Sequence, residues 1–262
     1  MAEQFATSSG AIGILYPADG PTLIIWPGMG ISASKFRRAA EQFQQRGLYA
    51  VTADYPGQPN GIGRHSRISY PDLADSMAEV AAEMRRRRPG QPLYFVSHSM
   101  GGQLSAVLES ARPGVFDGLA LAASGTNHWR RFPLSSLPTL LFVPTFLELQ
   151  ARLKGYLDGT RAGFGIQSKQ TIIDWARMAR TGSWGKHDRS TREFPLLALS
   201  FPEDNFAPDG AVDGLVAEFP GARVTRKRLG EPRGHVGWIK HPSPVVDEVC
   251  GWLDRLAVTG RA

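Results

Sequence analysis

Apolar residues along this chain follow two alternating rhythms. Short, almost unbroken runs occur at residues 22–26 (Thr-Leu-Ile-Ile-Trp), 48–53, 93–97, 118–123 and 196–201. They lack the in–out alternation of a half-solvated strand and read as strands buried on both faces of a parallel sheet. Between them, apolar positions recur every three or four residues. Phe36, Ala39, Ala40 and Phe43 mark a helix over residues 32–45, stopped by Gly47, and Met77, Val80, Ala81 and Met84 mark another over 70–87. Further helices are predicted over 101–111, near 211–218 and over 245–256, with a last strand near 222–229. Two extended pieces, 4–7 and 12–16, flank Ser8-Ser9-Gly10 and open the chain as a hairpin. Residues 27–30 form a Gly/Pro turn and 54–69 a loop.

Repeated strand–helix alternation predicts an α/β fold, a mostly parallel sheet with helices on both faces. The alternation lapses over residues 124–193, which hold Pro-punctuated apolar pieces and helical pieces such as 167–180. That segment reads as an insertion at the end of the sheet where such folds place their ligand crevice. The expected organisation is a core of residues 1–123 and 194–262 with a cap at 124–193.

Composition narrows the function. The 262 residues are 42% hydrophobic and 21% charged, a globular balance that excludes global disorder. Thirty Lys and Arg against 24 Asp and Glu leave a net charge of +6. The densest basic run, Arg85 to Arg88, stands before Pro89-Gly90 in the last turn of a helix, where the helix dipole favours cations. It reads as a solvated helix end, so no nucleic-acid partner is expected. The longest apolar region, 132–149, is broken by Pro133, Pro138 and Pro144 and carries Glu148. A membrane span needs about 20 mostly apolar residues, so none is expected. Cys250 is the one cysteine, which excludes an intramolecular disulfide. With no basic stretch leading into an apolar core at the N-terminus, a cytoplasmic location is expected.

The chemistry concentrates where a buried strand runs into Ser97-His98-Ser99-Met100-Gly101-Gly102 and then a helix. This is a nucleophile-elbow arrangement, with Ser97 where glycine is usual. A sharp strand-to-helix turn lifts the Ser99 hydroxyl above the sheet edge, and small residues two before and two after it leave room for crowding backbone. The free N–H groups at the following helix start favour a developing anion. An oxyanion hole then needs two amides. Met100 offers one, and Met29, in Pro27-Gly28-Met29-Gly30 after the first long strand, offers the other. A carboxylate after the strand at 196–201 falls on the same edge as Ser99. Asp204 and its neighbour Glu203 both qualify, and periodicity does not separate them. His235, just after the last predicted strand, is the base. The chain order Ser, Asp, His is the one this architecture uses.

The other histidines read differently. His98 is expected to point away from the site and to pack below it. His65, His128, His187 and His241 fall in loops or at element ends without metal-ligand spacing, so no metal and no cofactor is expected. Asp54 precedes the nucleophile and reads as bonding its own loop, and Cys250 reads as a core residue.

Together these residues resemble the α/β-hydrolase superfamily, over nearly the whole chain. Within it the sequence is similar to a group of bacterial serine hydrolases, on Asp54-Tyr55, Lys154-Gly155-Tyr156 and Gly234-His235-Val236-Gly237-Trp238. The resemblance implies Ser99 as nucleophile, Asp204 as acid and His235 as base, and a cap over the site. Asp204 also keeps the family's Asp-x-x-x-Pro through Pro208. The oxyanion loop departs from the His-Gly pair of many members.

The expected activity is hydrolysis of an ester or thioester of a small or medium apolar acyl substrate. Amide, C–C bond or acyl-transfer chemistry on the same residues is the alternative, and a non-catalytic binding protein of this fold is another. Trp129, Phe132, Phe142, Phe146, Tyr156, Phe164, Trp175 and Trp184 lie in the insertion. They read either as an acyl pocket or as glue between cap and core.

Overall fold

A computed structural model of the chain describes residues 3–58, 66–184 and 189–259. The elements run β1 (Gln4–Ala6), β2 (Ile12–Tyr16), β3 (Thr22–Trp26), α1 (Arg37–Gln45), β4 (Tyr49–Asp54), α2 (Tyr70–Arg87), β5 (Leu93–His98), α3 (Met100–Ala111) and β6 (Gly118–Ala122). Then come α4 (Leu137–Lys154), β7 (Tyr156–Gly159), β8 (Gly165–Ser168), α5 (Lys169–Thr181), β9 (Pro195–Ser200), α6 (Asp209–Val216), β10 (Arg223–Arg228), α7 (Gly237–Lys240) and α8 (Ser243–Thr259). Eight strands form one sheet in the order β1-β2-β4-β3-β5-β6-β9-β10. The opening hairpin is antiparallel and β2 joins β4 antiparallel; from β4 to β10 every pairing is parallel.

The sheet separates two apolar layers. On one side Ile24, Trp26, Phe95 and Leu121 meet Met77, Val80 and Met84 of α2, Leu104 and Leu108 of α3, and Val212 of α6. On the other, Leu23, Ile25, Val96 and Leu199 meet Phe36 and Phe43 near and on α1 and Val246, Val249 and Trp252 of α8. Neighbours in β3 go to opposite layers, which is why its run is apolar throughout. α2 starts with a capping box, Ser69 and Asp72 each bonding the other's backbone amide.

Some elements differ from the sequence pattern. The helix at 32–45 begins as a 3-10 turn, Ala33–Phe36, capped by the Ser32 hydroxyl, and becomes α-helical at Arg37. β10 is Arg-Val-Thr-Arg-Lys-Arg, an edge strand whose Arg226 and Arg228 pair with Asp209; charge suits an edge that must not recruit another strand. The Arg85–Arg88 run is spent locally. Arg85 pairs with Asp117, Arg86 and Arg87 with Glu83, and Arg88 donates to the carbonyls of Asp19 and Gly20.

Residues 124–193 depart most. The Pro-punctuated pieces join into the 18-residue helix α4. Pro138 falls in its first turn, where no amide bond is needed, and Pro144 lies inside it. The antiparallel hairpin β7–β8 follows and was not readable as alternation. Among the described residues no helix is long and apolar enough to cross a membrane.

Candidate active site

β5 delivers the chain into the sheet's carboxyl edge, and the turn to α3 forces Ser99 to φ 51°, ψ −118°. A non-glycine residue there costs of order 1–3 kcal/mol and persists only where its surroundings hold it. Here the Ser99 amide donates to the Ala123 carbonyl at 3.1 Å, and the Ser124 hydroxyl donates to the Ser99 carbonyl at 2.5 Å. Small residues are required around it. A Cβ on Gly101 would stand 2.9 Å from the Trp26 carbonyl oxygen, and one on Gly102 would overlap Ser124 Oγ. Ser97 fits because its hydroxyl has a partner. The Ser105 hydroxyl donates to the Gly101 carbonyl at 2.8 Å, so Ser97, 3.0 Å away, donates to Ser105.

His235 arrives on the loop after β10. The Gly234 amide donates to the Pro202 carbonyl at 2.8 Å, tying this loop to the one after β9. His235 Nε2 lies 2.9 Å from Ser99 Oγ, and its Nδ1 lies 3.0 and 3.1 Å from the two Asp204 oxygens. Asp204 is buried, and its Oδ1 also accepts the Phe206 and Ala207 amides, each at 2.9 Å. Glu203, the alternative acid, turns outward at φ 60° and pairs with Arg233 at 2.7 Å. The structure therefore brings Ser99, His235 and Asp204 together and leaves Glu203 at the surface.

Met29 and Met100 flank the serine. The first residue of α3 has no intrahelical acceptor for its amide, and neither the Met29 nor the Met100 amide donates a hydrogen bond among the described residues. The loop carrying Met29 comes close: a Cβ on Gly28 would stand 2.9 Å from Ser99 Cβ and 3.4 Å from its Oγ. Tyr55 supports this loop from beneath, stacking on Trp26 at 5.4 Å and donating to the Pro27 carbonyl at 3.2 Å. On its outer side, a Cβ on Gly30 would overlap the Phe164 backbone, so the β7–β8 turn rests on the loop.

His98 lies below the site, fully buried, but its ring packs on that of His235 with centroids 4.8 Å apart. His98 Nδ1 lies 3.1 Å from Trp238 Nε1, a donor, and 3.2 Å from the Ala122 carbonyl, an acceptor, and its Nε2 has no hydrogen-bond partner among the described residues. Burial, and then the neighbouring His235, push the His98 pKa well below the usual histidine value. A neutral imidazole thus backs the His235 ring. This contact, and that of the 65%-exposed Phe206 with His235 at 5.1 Å, were not visible in the sequence. Only the buried position of the residue before an elbow serine hinted at the first.

The remaining candidates lie elsewhere. Among the described residues Asp54 bonds the start of α1 and not its own loop: its Oδ1 accepts the Ala33 amide at 2.7 Å, and burial raises its pKa. Cys250 is half-buried at the rim of the α8 layer, its thiol pushed up to about 11 chiefly by burial. His128 sits against Gly182, and His241 ends α7. His65 and His187 lie outside the described residues. No group of His, Cys, Asp and Glu among the described residues is arranged to hold a metal.

Sheet order, elbow and the loops at the sheet's carboxyl edge define an α/β-hydrolase. The structure overlays on an esterase from Exiguobacterium antarcticum with a TM-score of 0.65 at 12% identity, covering 97% of this chain and 100% of that one. It overlays on mouse alpha/beta hydrolase domain-containing protein 10 with a TM-score of 0.65 at 15% identity, over 98% and 99% of the two chains. Residues 19–162, more than half of the chain, match the serine aminopeptidase S33 family, and the chain belongs to it. In sequence it is 35% identical over 86 residues to thioesterase TesA of Mycobacterium leprae, covering 32% of this chain and 31% of that protein. It is 24% identical over 108 residues to human monoglyceride lipase, covering 40% and 36%. The alignments thus span about a third of the length of these curated relatives.

Proposed function

We propose that the protein is a serine hydrolase that cleaves an ester or thioester of a small or medium apolar acyl substrate through an acyl-enzyme. One observation carries the reading: a strained, half-buried serine whose Oγ lies 2.9 Å from an imidazole that a buried carboxylate holds at 3.0 Å. Ser99 Oγ attacks the carbonyl carbon while His235 Nε2 takes its proton. Asp204 keeps the other ring proton on Nδ1 and stabilises the imidazolium. The Met29 and Met100 amides receive the oxyanion, a contribution of roughly 2.7–4 kcal/mol for each donor. His235 then protonates the leaving group, and the acyl carbon stays on Ser99. Water, deprotonated by His235, attacks that carbon and releases the acid. These steps require no cofactor.

The names of the relatives, a thioesterase and a monoglyceride lipase, support an acyl ester or thioester. So does the apolar mouth, where Phe206 and Val236 stand exposed beside His235. The family description also covers aminopeptidases, so amide substrates are the second reading. Residues 124–193 serve as the cap, since the β7–β8 turn lies on the oxyanion loop. A cytoplasmic setting fits the single cysteine.

The test is labelling with a fluorophosphonate, followed by mapping of the modified residue, alongside turnover of short p-nitrophenyl esters and amides. Wild type is labelled at Ser99 and hydrolyses the esters. Ser99→Ala is unlabelled and loses roughly 10⁴-fold or more in kcat. Undiminished turnover in that variant ends the reading, and faster amide than ester turnover replaces it with the second.

A further inference from the structure

Helix α4 keeps a large apolar face in water. Phe142, Phe146, Leu149 and Leu153 recur at helical spacing and form one stripe, exposed at 66%, 44%, 54% and 78%. Leu134, in the 3-10 turn leading in, is also exposed. Phe142 and Phe146 stack on each other with ring centroids 5.6 Å apart. A contiguous apolar ridge of this kind on a folded surface marks a contact site. The opposite face is spoken for: Ala151 is buried with Leu157 and Ile172.

The charges flanking α4 are mostly cations, with Asp158, exposed on β7, as the acid that follows it. Arg130 and Arg131 precede the helix, and Arg152 and Lys154 end it. The single acid of α4, Glu148, is buried and held by both Arg152 and Arg180, at 2.7 and 2.6 Å. Arg130, Arg131 and Lys154 make no ion pair among the described residues. A second copy of this face would bring cations onto cations in either orientation. A plane of acyl chains under anionic headgroups would accept both the ridge and its cationic ends.

We infer that the outer face of α4 docks the protein on an anionic phospholipid surface. The inference deepens the ester-hydrolase reading by saying where the acyl substrate is met. α4 leads into the β7–β8 hairpin, whose turn lies on the oxyanion loop. A helix lying in the headgroup plane therefore holds the site next to the lipid phase.

The experiment is vesicle flotation of the full chain at low salt. One set of vesicles is phosphatidylcholine alone, the other mixes in phosphatidylglycerol. Wild type floats with the mixed vesicles and binds pure phosphatidylcholine about tenfold more weakly. Phe142→Asp with Phe146→Asp loses about tenfold or more on the mixed vesicles, yet hydrolyses a water-soluble short ester as wild type does. Arg130→Glu with Arg131→Glu weakens binding to the mixed vesicles alone. Failure to float, or a phenylalanine variant that floats like wild type, overturns the inference. So does a dimer in light scattering that the phenylalanine variant dissociates, which would assign the face to a second copy. Flotation without ester turnover would overturn the hydrolase reading and leave the docking surface standing.

Discussion

β5 and α4 are both strongly apolar, and they end in opposite surroundings. Phe95 and Val96 of β5 are fully buried, one in each layer, with Phe95 against Trp26 and Phe116. α4 buries one side on the hairpin and α5 and leaves the Phe142–Leu153 stripe in solvent. A central strand of a parallel sheet has two covered faces and no choice of what to bury. A helix at the rim has a choice, and where it keeps apolar residues out, burial is not what selected them. The first region sets a rigid geometry. The second has surface to spare for a contact.

The sharpest way to break this contrast is at the elbow, where rigidity is invested in one strained residue. Ser99→Gly removes the proposed nucleophile and relieves φ 51° together. Activity should fall roughly 10⁴-fold or more, while stability rises by about 1 kcal/mol, read as ester turnover and as a denaturant midpoint. Loss of stability in this variant would mean that the turn is not held by its surroundings. Next in size, Phe95→Ala should cost about 3–5 kcal/mol by opening a cavity, against about 0.5 kcal/mol or less for Phe142→Ala. Equal costs, measured by urea unfolding, would show that α4 is packed and erase the difference between the two regions.

The same contrast explains what was legible in the sequence. Runs such as Thr22–Trp26 need no partner to be understood, since every position is buried. The elbow was legible because a strand, a serine between small residues and a helix are contiguous. The choice between Glu203 and Asp204 was not. It depends on a turn at Phe206 and Ala207 whose amides draw Asp204 inward, and on Arg233 holding Glu203 outward. α4 was hidden by its prolines, which read as breaks although one of them falls where a helix tolerates it. The aromatics of residues 124–193 read either as pocket lining or as glue. Trp184 is buried with the core, and Phe142 and Phe146 do neither. His98 was placed below the site correctly, but its contact with His235 joins residues far apart in the chain.

The smallest predicted effect probes that contact. His98 is buried neutral, its pKa far below the ordinary value, mainly through desolvation. The unfolded chain takes up a proton near pH 6.5 that the folded chain refuses. Folding stability from this group is therefore complete above that pH and falls as the pH drops below it. The slope approaches about 1.4 kcal/mol per pH unit for one proton. His98→Gln keeps polar atoms for Trp238 Nε1 and the Ala122 carbonyl and has nothing to protonate. Unfolding curves from pH 7 to pH 5 should diverge, with wild type losing stability faster than the variant. Parallel curves would mean that His98 is protonated inside the fold. A cation would then lie against the His235 ring, with centroids 4.8 Å apart, where the proposed mechanism needs a neutral neighbour.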